Sequence, residues 1–284
     1  MAGREAKMSA YPKIIIFVPL NYCAMPYCNV NGNNLHYQLI GPETISGEKP
    51  CMVFLHEGLG SIAQWKDFPQ QMSDLSGLPA LVYDRYGYGR SEKLREKRSA
   101  QFAKEAAIEE LPALLSSLGI SCPLVLIGHS DGATIALMYA SEFPERVKLV
   151  VSEAAHVMLE DISRSGIRNT ITLFETSRLR DFLEKYHGDR TDSMFYGWAH
   201  TWISGELDHW DMKEELAHII SPVLAVQGVD DEYGSPLQLE WIRDHCPGPV
   251  ELLLIPDCGH IPHFQQRDVV TAKIMSTLNQ YNII

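Results

Sequence analysis

The sequence predicts an α/β fold, with a mostly parallel central sheet, helices on both faces and one helical insertion. Three observations carry this. Short, partly β-branched apolar runs alternate with longer stretches of helical periodicity, the pattern of βα units whose parallel sheets are covered on both faces. Residues 151–223 break the alternation with helical, aromatic-rich sequence and no strong strand signal. A chain of 284 residues is long enough for one large domain carrying such an insertion.

The elements follow in order. Asn31-Gly32, before the alternating residues 35–39, is a strong hairpin signal, so the fold opens with antiparallel strands. Residues 52–55 form a buried strand, followed by the Gly-rich loop His56-Glu57-Gly58-Leu59-Gly60-Ser61 and a helix around 64–75. A strand at 80–83 and a helix over 102–118, stopped at Gly119, come next. Strand 124–127 and helix 133–143, closed by Pro144, precede strand 147–151. After the insertion come strand 223–226, helix 237–244, strand 250–255 and a last helix over 265–279.

Composition narrows the function. A formal net charge of −12 opposes nucleic-acid and anionic-membrane surfaces and slightly favours neutral or cationic substrates. Six cysteines in this length make no disulfide framework, and Cys23 and Cys28 lack C-x-x-C spacing. The eleven histidines show no H-E-x-x-H, so no metal site is expected. No apolar run approaches the roughly 18 residues that span a bilayer, and a cytoplasmic setting is expected. Lys7, Lys13 and the apolar residues 14–18 resemble a signal peptide only faintly, so residues 1–28 are expected to be an extension or an edge strand.

The chemistry is concentrated at Gly128-His129-Ser130-Asp131-Gly132. A buried strand ends there and a helix restarts with no room for a loop, which is the nucleophile-elbow pattern G-x-S-x-G. A serine hydroxyl needs a positioned base, itself oriented by a third group. In the elbow architecture the acid and then the histidine follow the serine in sequence. Strand 223–226 runs into Asp230-Asp231-Glu232, where Asp231 is preferred and Asp230 is the alternative. Strand 250–255 runs into Gly259-His260, which is well sited as the base, with His263 as its rival. The amide of Asp131 and one from the loop at 56–61 would hold the oxyanion.

Together, the loop at 56–60, Asp84-Arg85-Tyr86-Gly87-Tyr88-Gly89-Arg90-Ser91, the elbow, Gly228–Asp231 and Gly259-His260 resemble the α/β-hydrolase superfamily over roughly residue 29 to the C-terminus. The resemblance implies Asp231 over Asp230, and Gly58 as the second oxyanion amide. It also implies a structural role for the Asp84 segment. It divides the chain into an extension (1–28), a hydrolase core (29–153 and 219–284) and a helical cap (154–218). The chain departs from the family in having Glu57 where glycine is frequent, which adds a carboxylate to the oxyanion loop. Ile261, where ring-fission C–C hydrolases carry Trp, and Ser130, where dehalogenases and epoxide hydrolases carry Asp, disfavour those activities.

The expected activity is a serine hydrolase cleaving a small or medium carboxylic ester through an acyl-enzyme, with Ser130, His260 and Asp231 catalytic and Gly58 and Asp131 as the oxyanion hole. Lactone or C–C bond hydrolysis on the same triad, or a non-catalytic receptor, are the alternatives. The expected partner is a small-molecule ester or lactone; no metal, organic cofactor or nucleic acid is expected.

Overall fold

A computed structural model describes residues 26–284 apart from 42–44, 46 and 48. The expectation of a signal-like segment or extension falls almost wholly outside these residues. The hairpin forms as its turn residues dictate. Asn31 (φ 51°) and Gly32 (φ 84°) join β1 (Tyr27–Val30) to β2 (Asn33–Ile40), which pair antiparallel with Val30 opposite Asn33.

The other edge of β2 pairs antiparallel with β4 (Ala80–Tyr83). The remaining ladder is parallel and takes in β3 (Cys51–Leu55), β5 (Leu124–His129), β6 (Val147–Glu153), β7 (Val223–Gly228) and β8 (Val250–Ile255). The eight strands lie in the order β1-β2-β4-β3-β5-β6-β7-β8. Every residue of β3, β4, β5 and β7 is buried, which is why these runs are nearly all apolar, with only His129 and Gln227 polar near the strand ends, rather than alternating.

Two apolar layers flank the sheet. Leu124 and Leu126 of β5 pack with α3 (Leu111–Ser117) and α4 (Asp131–Glu142), while Val125 and Ile127 face the opposite layer, with α1 (Phe68–Ser76) and α11 (Arg267–Gln280). The stretch expected as one helix at 102–118 is interrupted: α2 (Phe102–Glu105) passes through a π-helical turn (Ala106–Glu110) into α3. Pro112 sits in the first turn of α3, where its missing N–H is tolerated because the ladder has just opened.

Between β6 and β7 the chain forms α5 (Asp161–Thr176), α6 (Leu179–His187), α7 (Thr191–Trp202) and α8 (Lys213–Leu216). β6 and β7 are still neighbours in the sheet, so these helices leave and return without disturbing the ladder. They rest on the loops after β3 and β4. The His187 ring donates from Nε2 to the Leu59 carbonyl (3.0 Å) and accepts the Gly89 N–H at Nδ1 (2.9 Å). α9 (Leu237–His245) and α10 (Pro262–Gln265) complete the fold. No helix among the described residues is long and apolar enough to cross a membrane.

Candidate active site

β5 ends at His129 and α4 begins at Asp131, leaving Ser130 alone in the turn with φ 52° and ψ −118°. A non-glycine residue held there stores roughly 1–3 kcal/mol of backbone strain. The flanking glycines are required by close approach: a Cβ on Gly132 would lie 1.9 Å from the Leu55 carbonyl oxygen, and one on Gly128 would lie 2.3 Å from that of Gly132. The sharp turn is therefore wedged between β3 and α4.

The structure brings together Ser130, His260 and Asp231, which lie on three separate loops. His260 Nε2 is 2.9 Å from Ser130 Oγ, and His260 Nδ1 is 2.8 Å from Asp231 Oδ1. Asp231 also accepts the Tyr233 N–H (2.9 Å) and the Gln227 side-chain amide (3.2 Å). Asp230, the alternative acid, is exposed. Burial opposes a charge on His260, but the hydrogen bond and charge of Asp231, joined by Glu57 and Glu232, hold its pKa above the ordinary imidazole value. Burial likewise pushes the Asp231 carboxyl up, but the hydrogen bond and charge of His260, with the Tyr233 N–H and the charge of His156, together outweigh that and leave it lowered.

His263, the rival base, is held elsewhere. Its Nδ1 meets Glu153 Oε2 at 2.9 Å, its N–H reaches the same oxygen at 3.1 Å, and its ring lies 4.5 Å from that of Trp65.

The amides of Gly58 and Asp131 have no acceptor among the described residues. The loop carrying Gly58 is clamped by Arg85, whose Nη2 donates to the carbonyls of His56 (3.1 Å) and Glu57 (2.7 Å). Asp84 braces the neighbouring turn, accepting from the amides of Ile62 and Arg90 and pairing with His36 Nδ1 at 2.7 Å. The bracing of the Asp84 segment thus extends to Arg85 and reaches the loop that carries Gly58.

Three supporting residues were not legible in the sequence. Trp202 donates its indole N–H to Asp131 Oδ1 (2.9 Å), and His129 donates from Nε2 to the His260 carbonyl (2.6 Å). Trp198 packs so closely on the loop at 56–61 that a Cβ at Gly58 would lie 2.1 Å from its indole nitrogen. The elbow's x positions and the insertion's tryptophans were visible, but nothing local shows what they touch.

A recess of about 170 Å³ opens beside the site, its lining including Glu57, Trp65, Lys66, His129, Tyr186 and Phe264. Of the insertion's aromatics, Tyr186 and Phe182 line this recess, whereas Phe174 and Phe195 stack on each other 3.7 Å apart inside the helical layer. No cluster of three or more His, Cys, Asp or Glu suited to a metal ion occurs among the described residues.

The family model described as "Alpha/beta hydrolase family" matches residues 52–273. A proline iminopeptidase of Saccharolobus solfataricus is 24% identical over 296 aligned positions, covering 89% of this chain and 92% of that one. Among solved structures, the enol-lactonase from Burkholderia xenovorans has a TM-score of 0.67 at 20% identity, covering 89% of this chain and all of that one. A thermophilic esterase from Thermogutta terrifontis has a TM-score of 0.67 at 18% identity, covering 90% of this chain and 98% of that one. The match runs across the strand ends that carry the site, and the chain belongs to the α/β-hydrolase family.

Proposed function

We propose that the protein is a serine hydrolase cleaving a small or medium carboxylic ester through an acyl-enzyme. The observation that carries this reading is the continuous hydrogen-bonded line from Ser130 Oγ through His260 to Asp231, at 2.9 Å and 2.8 Å, beside two amides with no acceptor among the described residues. Ser130 Oγ attacks the acyl carbon while His260 Nε2 takes its proton. The amides of Gly58 and Asp131 donate to the oxyanion of the tetrahedral intermediate. Collapse expels the alcohol, which takes the proton back from His260. Water, deprotonated by the same nitrogen, then releases the acid and frees Ser130. Asp231 holds the imidazole in the required tautomer and stabilises its charged form.

The helices at 154–218 act as a cap over these strand ends, with Tyr186 and Phe182 turned toward the substrate. The recess of about 170 Å³ matches a small acyl or alcohol group.

An amide substrate is the second reading, favoured by relatives named proline iminopeptidase; the same intermediate serves both bonds. The test is fluorophosphonate labelling of wild type and Ser130→Ala, followed by a panel of short p-nitrophenyl esters, lactones and aminoacyl amides. Wild-type labelling and ester turnover, both lost in Ser130→Ala, are expected. Turnover surviving that substitution overturns the mechanism, and turnover of amides alone moves the assignment to a peptidase.

A further inference from the structure

We propose that Glu57 is the anchor for a protonated amine on the substrate, so that the bond cleaved belongs to a small, apolar, amine-bearing acyl compound. This deepens, and rests on, the acyl-hydrolase reading of the same site.

The loop position comes first. Glu57 immediately precedes the Gly58 amide, and its side chain forms part of the wall of the recess. The same wall includes His129 and Ile261, the residues directly before Ser130 and directly after His260, so the recess adjoins the site.

The charge balance comes second. The Glu57 side chain is 23% exposed, and among the described residues its one neighbour of basic type within ion-pair reach is His129 Nδ1, at 4.0 Å. That ring cannot neutralise it: His129 already donates from Nε2 to the His260 carbonyl, and burial together with His263 and His260 holds its pKa well below the ordinary value. The other basic groups around the recess are also directed elsewhere. Arg85 Nη2 donates to backbone carbonyls and faces Asp131 at 3.7 Å. His56 accepts the Arg85 N–H at Nε2 (3.1 Å) and donates from Nδ1 to the Glu57 carbonyl (2.8 Å). His263 pairs with Glu153, and Lys66 donates to the Tyr186 hydroxyl at 3.0 Å. The carboxylate is left facing the recess without a hydrogen-bond donor among the described residues. Desolvation pushes its pKa up, and the charges of His260, His263 and Arg85 offset that only in part. An entering cation would offset the rest.

The remaining wall describes the rest of the ligand. Trp65, Phe182, Tyr186 and Phe264 are aromatic, and such faces attract cations as well as covering apolar groups. A cavity of about 150 Å³ holds benzene, so the recess here matches one ring or a short branched chain. Long-range attraction by a net charge of −12 acts in the same sense.

The probes are benzylammonium and its neutral isostere benzyl alcohol, titrated by calorimetry into wild type, Glu57→Gln and Ser130→Ala. A charge-assisted hydrogen bond contributes about 1.5–3 kcal/mol, so benzylammonium should bind wild type and Ser130→Ala roughly 10–100-fold more tightly than Glu57→Gln. Benzyl alcohol should not discriminate between them. In turnover, the kcat/KM ratio of the p-nitrophenyl ester of phenylalanine to that of 3-phenylpropionate should fall by a similar factor in Glu57→Gln, mainly through KM. Equal benzylammonium affinity in wild type and Glu57→Gln, no binding to either, or an unchanged ratio overturns the proposal. Binding needs no turnover, so Glu57-dependent binding without Ser130-dependent hydrolysis would sink the acyl-hydrolase reading alone.

Discussion

Two carboxylate–imidazole pairs lie side by side in this molecule. Asp231–His260 and Glu153–His263 have contacts of 2.8 Å and 2.9 Å, and all four side chains are buried. His129 lies between them, its ring 5.1 Å from that of His260 and 5.0 Å from that of His263. By pair chemistry alone they are near equals. They differ in what the second ring nitrogen meets. For His260 it is Ser130 Oγ, at the end of a loop that projects over the elbow. His263 instead starts a short helix, binds Glu153 through both backbone and ring, and packs between Trp65 and Phe68. A buried acid–imidazole pair therefore does not define a base; reach to a nucleophile does.

Substitutions at the two pairs sharpen this comparison. Ser130→Ala removes the atom that distinguishes them, and ester hydrolysis should fall roughly 10⁴-fold or more, read as kcat/KM with the fold checked by circular dichroism. Asp231→Asn should cost on the order of 10³–10⁴-fold, because the amide does not hold the tautomer in which Nε2 accepts. A loss below about 10-fold would break the assignment of the first pair.

The pH profile tests the same pair. His260 must be neutral to accept the serine proton, and its pKa is raised, so kcat/KM should fall on acidification with a midpoint above the ordinary imidazole value. Asp231→Asn removes the largest raising influence and should move that limb to lower pH. An unmoved limb would assign the titration to another group.

The second pair should answer in stability. His263→Gln breaks the bond to buried Glu153 and should cost about 1–3 kcal/mol in unfolding free energy, with kcat/KM changed by less than roughly 10-fold. A loss of about 10³-fold in a folded variant would make both pairs functional. Trp202→Phe, the mildest change, removes the indole donor to Asp131 Oδ1 and should cost about 1–2 kcal/mol, measured by denaturant titration.

What was legible in the sequence follows a physical pattern. Strands β3, β4, β5 and β7 were readable because burial on both faces demands nearly continuous apolar runs, and the hairpin because Asn31-Gly32 suits two positive φ angles. The elbow was readable because a Cβ on Gly128 or Gly132 would lie 2.3 Å or 1.9 Å from a backbone oxygen, a constraint written into the local sequence. The π-helical turn before Pro112 was missed because helical periodicity continues through it. The insertion was readable only as aromatic and helical. Phe174 and Trp198 look alike in sequence, yet one stacks in the helical core and the other presses on the loop at Gly58.

The sequence by itself determined the strand–turn–helix around Ser130, the order of serine, acid and histidine, and the strand ends that bear them, because backbone sterics and burial act over neighbouring residues. Only the tertiary structure decided that His260 rather than His263 reaches the serine, that Arg85 and Trp202 brace the site, and that Glu57 lines the recess with no side-chain hydrogen bond among the described residues. Those outcomes depend on contacts between residues 28 to 131 positions apart, and no local pattern carries that information.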